Sequence, residues 1–486
     1  MYNSKAHIHF VGIGGIGMSG IAQILQTQGY YISGCDVDLD QQSIKDLILA
    51  GCTIFEGNNS PACQAAVPDI LVYSSAIRSH NPEIVSAQAR GIPTIPRALM
   101  LAELMRTKFS IAIAGAHGKT TTTSLISHIL IEAGIDPTVI IGGHLKNIEA
   151  NARLGRGEFL VAEADESDRS LQNLHATLAV VTNIDLEHLE TYKDLDDIKE
   201  TFKRFLNNIP FYGKAFVCID DANVRSLLPM PHIKTIKYGL DISADIFAQN
   251  IDLQPTHSTF DLYIKNEQFP VEPNSEQTEN PLVLSASKHS SIKKIGTIST
   301  TMLGRHNILN SLAAISVSFD LGICFETIAK AIASFKGIER RFFYKGLFQG
   351  AEIFDDYGHH PQEIYNTLLI AKKRTKNKLI VVFQPHRYTR TDKLWHDFIT
   401  VFKESEIDHL IITDIYPASE APILNVNSQN LVQAMIEQQS KFSITYAPYE
   451  SNFNSIREVL ESLATENDLV LLLGAGKVNK LPDYLT

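Results

Sequence analysis

The sequence predicts an α/β protein of three domains, each built around a parallel sheet. Short apolar runs recur along the chain and end abruptly in glycine or polar residues, as buried parallel strands do at their carboxyl ends. The 486 residues also exceed one core, because domains usually hold about 100–200 residues. Breaks in the pattern place the predicted domains at residues 1–107, 108–335 and 336–486.

The composition argues against several classes of protein. The 43 basic and 54 acidic residues give a formal net charge of −11, which disfavours binding to nucleic acid or to membrane surfaces. Apolar stretches all fall short of the ~18 residues that span a bilayer, and the N-terminus moves directly into a strand pattern. Five scattered cysteines without metal-ligand spacing suit reduced thiols. We therefore expect a cytoplasmic protein without membrane insertion.

A glycine turn follows the first apolar run. The motif Gly12-x-Gly14-x-x-Gly17 precedes a helical pattern, and a second apolar run then ends at Asp36, about 20 residues further on. This order is typical of a Rossmann-like sheet that binds a diphosphate at a helix N-terminus; a tight turn without a ligand is the alternative. A later run ends in two serines at the edge where such sheets bind ligands. The predicted ligand contacts are Gly12, Gly14, Gly15, Gly17, Asp36, Ser74 and Ser75.

The most informative motif is FSIAIAGAHGKTTTT at residues 109–123. An apolar strand leads into Gly115-x-x-Gly118-Lys119-Thr120, so backbone N–H groups, a helix N-terminus and an ammonium group converge on one point. Lys119 suits the oxygens of a transferring phosphate, and the Thr120 hydroxyl suits Mg²⁺. The first glycine lies two residues closer to the lysine than in G-x-x-x-x-G-K-[ST], which predicts a shortened P-loop in the central domain.

Two further apolar runs, at residues 159–164 and 178–182, end in acidic residues. As parallel strands they would place these acids beside the phosphate loop, where a cation bridging phosphates needs oxygen ligands. Glu163 lies inside its run, where an unpaired carboxylate is costly. A helix-capping cluster on the surface is the alternative, and it fits residues 165–168 better than Glu163. His188 alone would be a structural histidine.

The second half of the central segment predicts less chemistry. The short runs at 215–219 and 259–264 favour an antiparallel portion, and residues 272–294 read as a long exposed loop. Asn307 and Asn310 are three apart and therefore share a helix face. Helix capping could explain Asn307 but not both asparagines.

The third segment repeats the pattern of a doubly wound, Rossmann-like sheet. Its apolar runs at 352–354, 379–383 and 470–473 lead into DDYGHHP, QPHRYTRT and GAG. Arg387 and Arg390 are suited to a small carboxylate; a salt-bridged surface loop is the alternative.

In this order, the motifs GIGGIGM, AGAHGKTTTT, EADESD, NIDLEH, GRHNILN, RRF, DDYGHHP and QPHRYTRT closely resemble the Mur ligases of peptidoglycan synthesis, from about Ile8 to Gly476. The resemblance implies ATP-dependent amide ligation through an acyl phosphate, in cell wall biogenesis. The N-terminal domain would bind a UDP-sugar, the central domain Mg-ATP and the C-terminal domain an amino acid. The implied substrates are UDP-N-acetylmuramate and L-alanine; another amino acid or a murein peptide is the alternative. A monomer or weak homodimer is expected.

The resemblance also implies a role for each matching residue. The catalytic residues would be Lys119, Glu163, His188 and Arg341. Mg²⁺ would be held by Thr120, Glu163 and His188. ATP would contact Gly115, Ala116, His117, Gly118, Lys119, Thr120, Thr121, Asn307, Asn310, Arg341 and Asp356. L-alanine would contact Tyr357, His386, Arg387 and Arg390. Ala116 departs from the family, which usually has Thr or Ser at this position.

Two other functions compete with this interpretation. A nicotinamide oxidoreductase would explain the glycine motif and Asp36 but leaves Lys119 and the arginine pair unused. A non-catalytic module that only holds a UDP-sugar predicts missing catalytic residues, yet the residues that the resemblance makes catalytic are all present.

Overall fold

The computed structural model describes residues 5–57, 67–74, 77–78, 80–145, 150–187, 191–265, 292–418, 420–438 and 441–485. The chain forms two compact units. The first comprises Met1–Ile251, Thr259–Thr300 and Asn307–Lys336, and the second comprises Asp252–Ser258, Thr301–His306 and Gly337–Thr486. Strands of the described residues assemble into three sheets, two in the first unit and one in the second.

The N-terminal sheet is parallel in every pairing between its described strands. Its strands are β1 (His7–Val11), β2 (Tyr31–Asp36), β3 (Thr53–Glu56), β4 (Ile70–Tyr73) and β5 (Thr94–Pro96), in the order β3-β2-β1-β4-β5. Its helices are α1 (Ile16–Thr27), α2 (Gln42–Leu49), α3 (Pro82–Ala89) and α4 (Arg97–Arg106). The predicted strand, glycine turn, helix and strand at the N-terminus are confirmed.

The second sheet contains ten described strands in the order β15-β14-β13-β12-β11-β10-β6-β9-β7-β8. They are β6 (Phe109–Ala114), β7 (Thr138–Leu145), β8 (Ala150–Arg153), β9 (Phe159–Glu163), β10 (Leu178–Val181), β11 (Lys214–Cys218), β12 (Lys234–Gly239), β13 (Ile246–Leu253), β14 (Ser258–Lys265) and β15 (Ile292–Thr300). The helices that follow these strands are α5 (Lys119–Glu132), α6 (Leu195–Asn207), α7 (Ala222–Arg225), α8 (Arg305–Asp320) and α9 (Phe325–Ser334).

The register of this sheet positions the site. Strand β6 lies between β9 and β10, with Ile113 opposite Glu163 and Ala114 opposite Val181. All three strands run parallel, so their carboxyl ends meet at one edge. The loop after β6 therefore starts beside Glu163 and beside the residues that follow Val181.

Two predictions for this segment are wrong. Strand β11 is parallel to both of its neighbours rather than antiparallel, because its residues are buried on both faces, as in an internal parallel strand. Residues 292–294 belong to β15 rather than to a loop. Lys293 and Lys294 are accommodated there because β15 is the last described strand in the sheet, where Lys294 Nζ pairs with Asp261 Oδ2 on β14 at 2.6 Å. Residues 272–291 of the predicted loop lie outside the described residues.

The sheet of the second unit has the order β16-β17-β21-β18-β19-β20. Its strands are β16 (Phe343–Phe348), β17 (Ala351–Asp356), β18 (Leu379–Phe383), β19 (His409–Ile412), β20 (Ser443–Tyr446) and β21 (Leu469–Leu473). Its helices are α10 (Pro361–Arg374), α11 (Tyr388–Lys393), α12 (Trp395–Glu404), α13 (Ser428–Glu437) and α14 (Asn454–Leu463). Only β16 pairs antiparallel among these described strands, so the three predicted parallel strands are confirmed.

Within the described part of the chain, no helix is both long and apolar enough to cross a bilayer. The predicted domain boundaries near residues 107 and 335 stay predictions.

Candidate active site

The phosphate loop at residues 115–118 accepts only glycine at two positions. Gly115 has φ +145° and Gly118 has φ +81°, values that side chains rarely allow. A Cβ at Gly118 would lie 2.5 Å from Asn310 Oδ1, and a Cβ at Gly115 would collide with Thr182 Oγ1. Backbone conformation and crowding therefore both require the glycines of this motif.

Side chains that follow β10 clamp the loop. The His117 backbone N–H donates to Asn183 Oδ1 at 2.7 Å, and Asn183 Nδ2 donates back to the His117 carbonyl at 2.9 Å. The Thr182 hydroxyl donates to the same carbonyl at 2.7 Å. Asn183 belongs to the motif NIDLEH, but sequence reasoning gave it no role. Its position directly after a buried strand was the available signal.

Lys119 is held over its own loop by a buried carboxylate. Its Nζ lies 2.8 Å from Glu166 Oε1 and donates to the carbonyls of Gly115 and Ala116. Burial alone would lower the pKa of Lys119, but the charge and hydrogen bond of Glu166, together with the charges of Asp165 and Glu187, outweigh burial and raise the pKa above its usual value. Lys119 is therefore charged at neutral pH. Because Glu166 is only 4% exposed, its interpretation as part of a surface capping cluster is wrong.

The predicted metal residues offer oxygen donors at the same sheet edge. Thr120 lies in the first turn of α5, and Glu163 ends β9 opposite the strand that feeds the loop. A hydroxyl and a carboxylate are ligands that Mg²⁺ prefers, so these residues fit the ion. His188 lies outside the described residues.

Asn310 of α8 lies beside the phosphate loop, and it shares a helix face with Asn307, as their spacing predicted. Asn310 Nδ2 donates to Asn307 Oδ1 at 3.1 Å, so the two share one face of the helix. The Thr122 hydroxyl of α5 donates to Asn310 Oδ1 at 3.2 Å.

The first glycine loop is shaped by the end of β2. The N–H groups of Gly12 and Ile13 donate to the Cys35 carbonyl at 2.9 and 3.0 Å, and the Gly14 N–H donates to Asp36 Oδ2 at 2.8 Å. Asp36 thus holds the loop itself, and its role as a ligand contact stays a prediction. Helix α1 begins after this loop without a side-chain cap.

One basic residue beside this loop was missed by sequence reasoning. Arg97 begins α4, and a Cβ at Gly17 would lie 3.2 Å from its Nη1. Its Nη2 lies 3.3 Å from Asp165 Oδ2. No motif indicated Arg97. Ser74, which was predicted, follows β4 near Gly12, whereas Ser75 lies outside the described residues.

In the second unit, Asp356 shapes the turn that contains Arg341. Its carboxylate accepts the backbone N–H groups of Phe342 at 2.7 Å and Gly358 at 2.8 Å. Burial raises the pKa of Asp356 above its ordinary value. The Arg341 guanidinium lies 5.6 Å from the centre of the Tyr357 ring and 3.8 Å from Glu363 Oε1. The nucleotide roles of Asp356 and Arg341 stay predictions.

The neighbouring Arg340 has a structural role that the motif RRF did not reveal. Its Nη2 donates to the carbonyls of Gly474 at 2.5 Å and Gly476 at 3.2 Å. Its guanidinium lies 4.7 Å above the Tyr357 ring. Arg340 therefore fixes the glycine turn after β21 against the predicted alanine pocket.

Three of the four residues predicted to bind the amino acid lie together around His359. Tyr357 contacts the ring of His359, which contacts His386 with ring centres 5.5 Å apart. Arg390 Nη1 donates to His386 Nδ1 at 3.0 Å. Arg387 instead directs its Nη1 toward Glu420 Oε1 at 3.8 Å.

Burial keeps both histidines of this cluster neutral. Burial lowers the pKa of His359 to about 4. Burial, together with the neighbouring His359 and Arg390, lowers the pKa of His386 to about 3. At neutral pH the positive charge of this region therefore resides on its arginines.

Comparison with known proteins identifies the class. The model described as "Mur ligase family, catalytic domain" matches residues 7–109, "Mur ligase middle domain" matches 113–318, and "Mur ligase, glutamate ligase domain" matches 340–476. A UDP-N-acetylmuramate--L-alanine ligase of Geobacter sp. (strain M21) is 45% identical over 98% of this chain and 96% of its own length. Its counterpart in Syntrophus aciditrophicus is 42% identical over 99% and 93%. The chain belongs to the Mur ligase family.

Solved structures agree with the fold. The UDP-N-acetylmuramate-alanine ligase MurC of Thermotoga maritima has a TM-score of 0.76 at 24% identity, covering 99% of this chain and 98% of that one. A murein peptide ligase of Psychrobacter arcticus has a TM-score of 0.70 at 24% identity with the same coverage. The similarity to these structures supports the three-domain α/β architecture.

Proposed function

We propose that this protein joins L-alanine to the lactyl carboxylate of UDP-N-acetylmuramate, with conversion of ATP to ADP and phosphate. Relatives bearing that activity match the chain over nearly its full length. The observation in the molecule that supports the proposal is the charged Lys119, which Glu166 holds over the phosphate loop. An enzyme that activates a carboxylate with ATP requires a cation at this position.

The proposed chemistry has two steps. An oxygen of the lactyl carboxylate attacks the γ-phosphorus, the bond to the bridging oxygen of ADP breaks, and an acyl phosphate forms. The alanine amine then attacks the acyl carbon, loses a proton, and phosphate leaves. Lys119 and the N-terminus of α5, which begins directly after the loop, stabilise the phosphoryl charge in the first step. We assign Arg341 to the transferred phosphate by resemblance.

The finer assignments follow from the same resemblance. Mg²⁺ would be held by Thr120, Glu163 and His188, and would neutralise charge on the ATP phosphates. The alanine carboxylate would bind Arg387 and Arg390, because it needs a positively charged partner and His386 is neutral. We also propose a cytoplasmic location and a monomer or weak homodimer.

Phosphate release tests the proposal. The purified protein is given ATP, Mg²⁺, UDP-N-acetylmuramate and L-alanine, and each component is then withheld in turn. We expect release only from the complete mixture, and repeating the assay with glycine or serine in place of L-alanine compares the amino acids. Release that requires a murein tripeptide instead would favour the alternative ligase. Quenching of nicotinamide fluorescence by the protein would favour the oxidoreductase.

A further inference from the structure

We propose that Arg97 binds the diphosphate of the UDP-sugar, and that the adjacent residues Asp165 and Glu166 anchor the cations of both substrate sites. The inference rests on the proposed function, because it takes the first glycine loop as the sugar-nucleotide site. It adds one binding residue and two positioning residues to that function.

The first glycine loop has no cation of its own. Between Ile8 and Gln28 the sequence contains neither lysine nor arginine. The N–H groups of Gly12, Ile13 and Gly14 already donate to Cys35 and Asp36, which leaves a bound diphosphate few backbone donors. A basic side chain would add the charge-assisted hydrogen bonds that phosphate favours. Arg97 supplies the missing charge from a different element, because its guanidinium packs directly against Gly17.

The guanidinium of Arg97 is held in a fixed position. Its side chain is 15% exposed, and its Nη2 is paired with Asp165 Oδ2 at 3.3 Å. A guanidinium has five N–H donors, so one contact with Asp165 leaves others for phosphate oxygens.

Glu166, the residue after Asp165, holds the cation of the predicted ATP site. Glu166 Oε1 contacts Lys119 Nζ at 2.8 Å, in the loop predicted to bind ATP. Two consecutive carboxylates after β9 thus hold the two cations, Arg97 at the start of α4 and Lys119 at the start of α5. Because the carboxylate of one substrate must attack the γ-phosphate of the other, a shared anchor that fixes their cations favours the reacting geometry.

Binding measurements with Arg97 variants test the first part. Calorimetry would compare Arg97→Met and Arg97→Lys with the wild type, using UDP and UDP-N-acetylmuramate as probes and ATP as the internal control. We expect Arg97→Met to weaken both uridine ligands about 10- to 100-fold, as loss of a charged hydrogen bond does. Arg97→Lys should recover part of this loss, and the affinity for ATP should be unchanged.

The same helix offers a matched control. Arg106 lies in the last turn of α4 and pairs at 2.8 Å with Glu103, where both side chains are more than half exposed. Arg106→Met should leave all three affinities unchanged. Unchanged uridine affinity in Arg97→Met, or a loss confined to UDP-N-acetylmuramate, would overturn the diphosphate contact. Equal loss of ATP binding would assign Arg97 a purely structural role. Turnover by the wild type tests the proposed function separately.

The anchoring role has its own signature. Asp165→Asn should raise KM for UDP-N-acetylmuramate about 2- to 10-fold and leave KM for ATP unchanged, while Glu166→Gln should do the reverse. Asp165→Glu, which keeps the charge, should restore part of the sugar-nucleotide KM. Variants that raise both KM values together, or neither, would contradict separate anchoring of the two cations.

Discussion

The two glycine loops of the first unit are both predicted to bind phosphates, but they differ in the residue that supplies the positive charge. Each follows a parallel strand, turns through glycine and opens a helix without a side-chain cap. The loop after β6 is followed at once by its own cation, Lys119. The loop after β1 has none, and Arg97 reaches it from the start of α4. The difference shows that a phosphate motif read from sequence gives the backbone cradle, but gives the counter-charge only when the two are contiguous.

The loops also differ in what holds them. The first is fixed by the Cys35 carbonyl and by Asp36, both at the end of the neighbouring strand. The second is fixed by the side chains of Asn183 and Thr182 and is crowded by Asn310 from α8. Changes at the second loop should therefore disturb more of the surrounding structure than changes at the first.

The largest effect is expected from Lys119→Ala. Removing the cation that faces the transferred phosphate should lower kcat about 10²- to 10³-fold, as loss of one donor to a developing charge does. UDP-N-acetylmuramate affinity should be unchanged, because the first loop has a separate cation. Phosphate release and calorimetry measure the two quantities, and the exposed Lys203→Ala on α6 is the control. Normal turnover in Lys119→Ala would refute the role of this lysine.

Next in size is the effect of crowding at Gly118. Gly118→Ala should destabilise the protein by about 1–2 kcal/mol from backbone strain and by about 1–3 kcal/mol more from the contact with Asn310. Gly134 has a similar φ of +76° but no atom within 4 Å of an added Cβ, so Gly134→Ala isolates the strain. Urea unfolding of both variants gives the difference. Equal losses would mean that the loop is not crowded.

A smaller and more local effect is expected at the first loop. Asp36→Ala removes the acceptor of the Gly14 N–H and should cost about 1 kcal/mol of stability, with about a tenfold rise in KM for UDP-N-acetylmuramate. KM for ATP should not change. If KM for ATP rose equally, the two loops would not be independent.

The smallest effect is a change in the pH dependence of stability. Burial lowers the pKa of Lys119, but Glu166 and the neighbouring acids outweigh burial and raise the pKa above 10.5 in the folded state. The ion pair therefore stabilises the protein below pH 10.5, and this contribution is lost as pH rises through the folded pKa. Glu166→Gln should cost about 1 kcal/mol at pH 7, because Lys119 keeps two carbonyl partners. Unfolding curves from pH 7 to above pH 11 should converge, and a difference independent of pH would contradict the pairing.

Much of the site could be predicted because its residues are close in sequence. The turn at Gly115–Lys119 places the glycines and the charged lysine within a few consecutive positions, so the phosphate loop could be recognised from the sequence. The shared face of Asn307 and Asn310 followed from helix geometry alone. Strand β11 was assigned wrongly because a short apolar run does not reveal how its neighbours run.

The sequence by itself determined the α/β class, the two glycine turns, Lys119 and the family, since each depends on residues in a fixed local order. Only the tertiary structure decided that Glu166 pairs with Lys119, that Asn183 clamps the loop, and that Arg97 meets Gly17. These contacts join residues from different strands and helices. Their partners are set by sheet order and register, which bring distant segments to one edge and which no local pattern encodes.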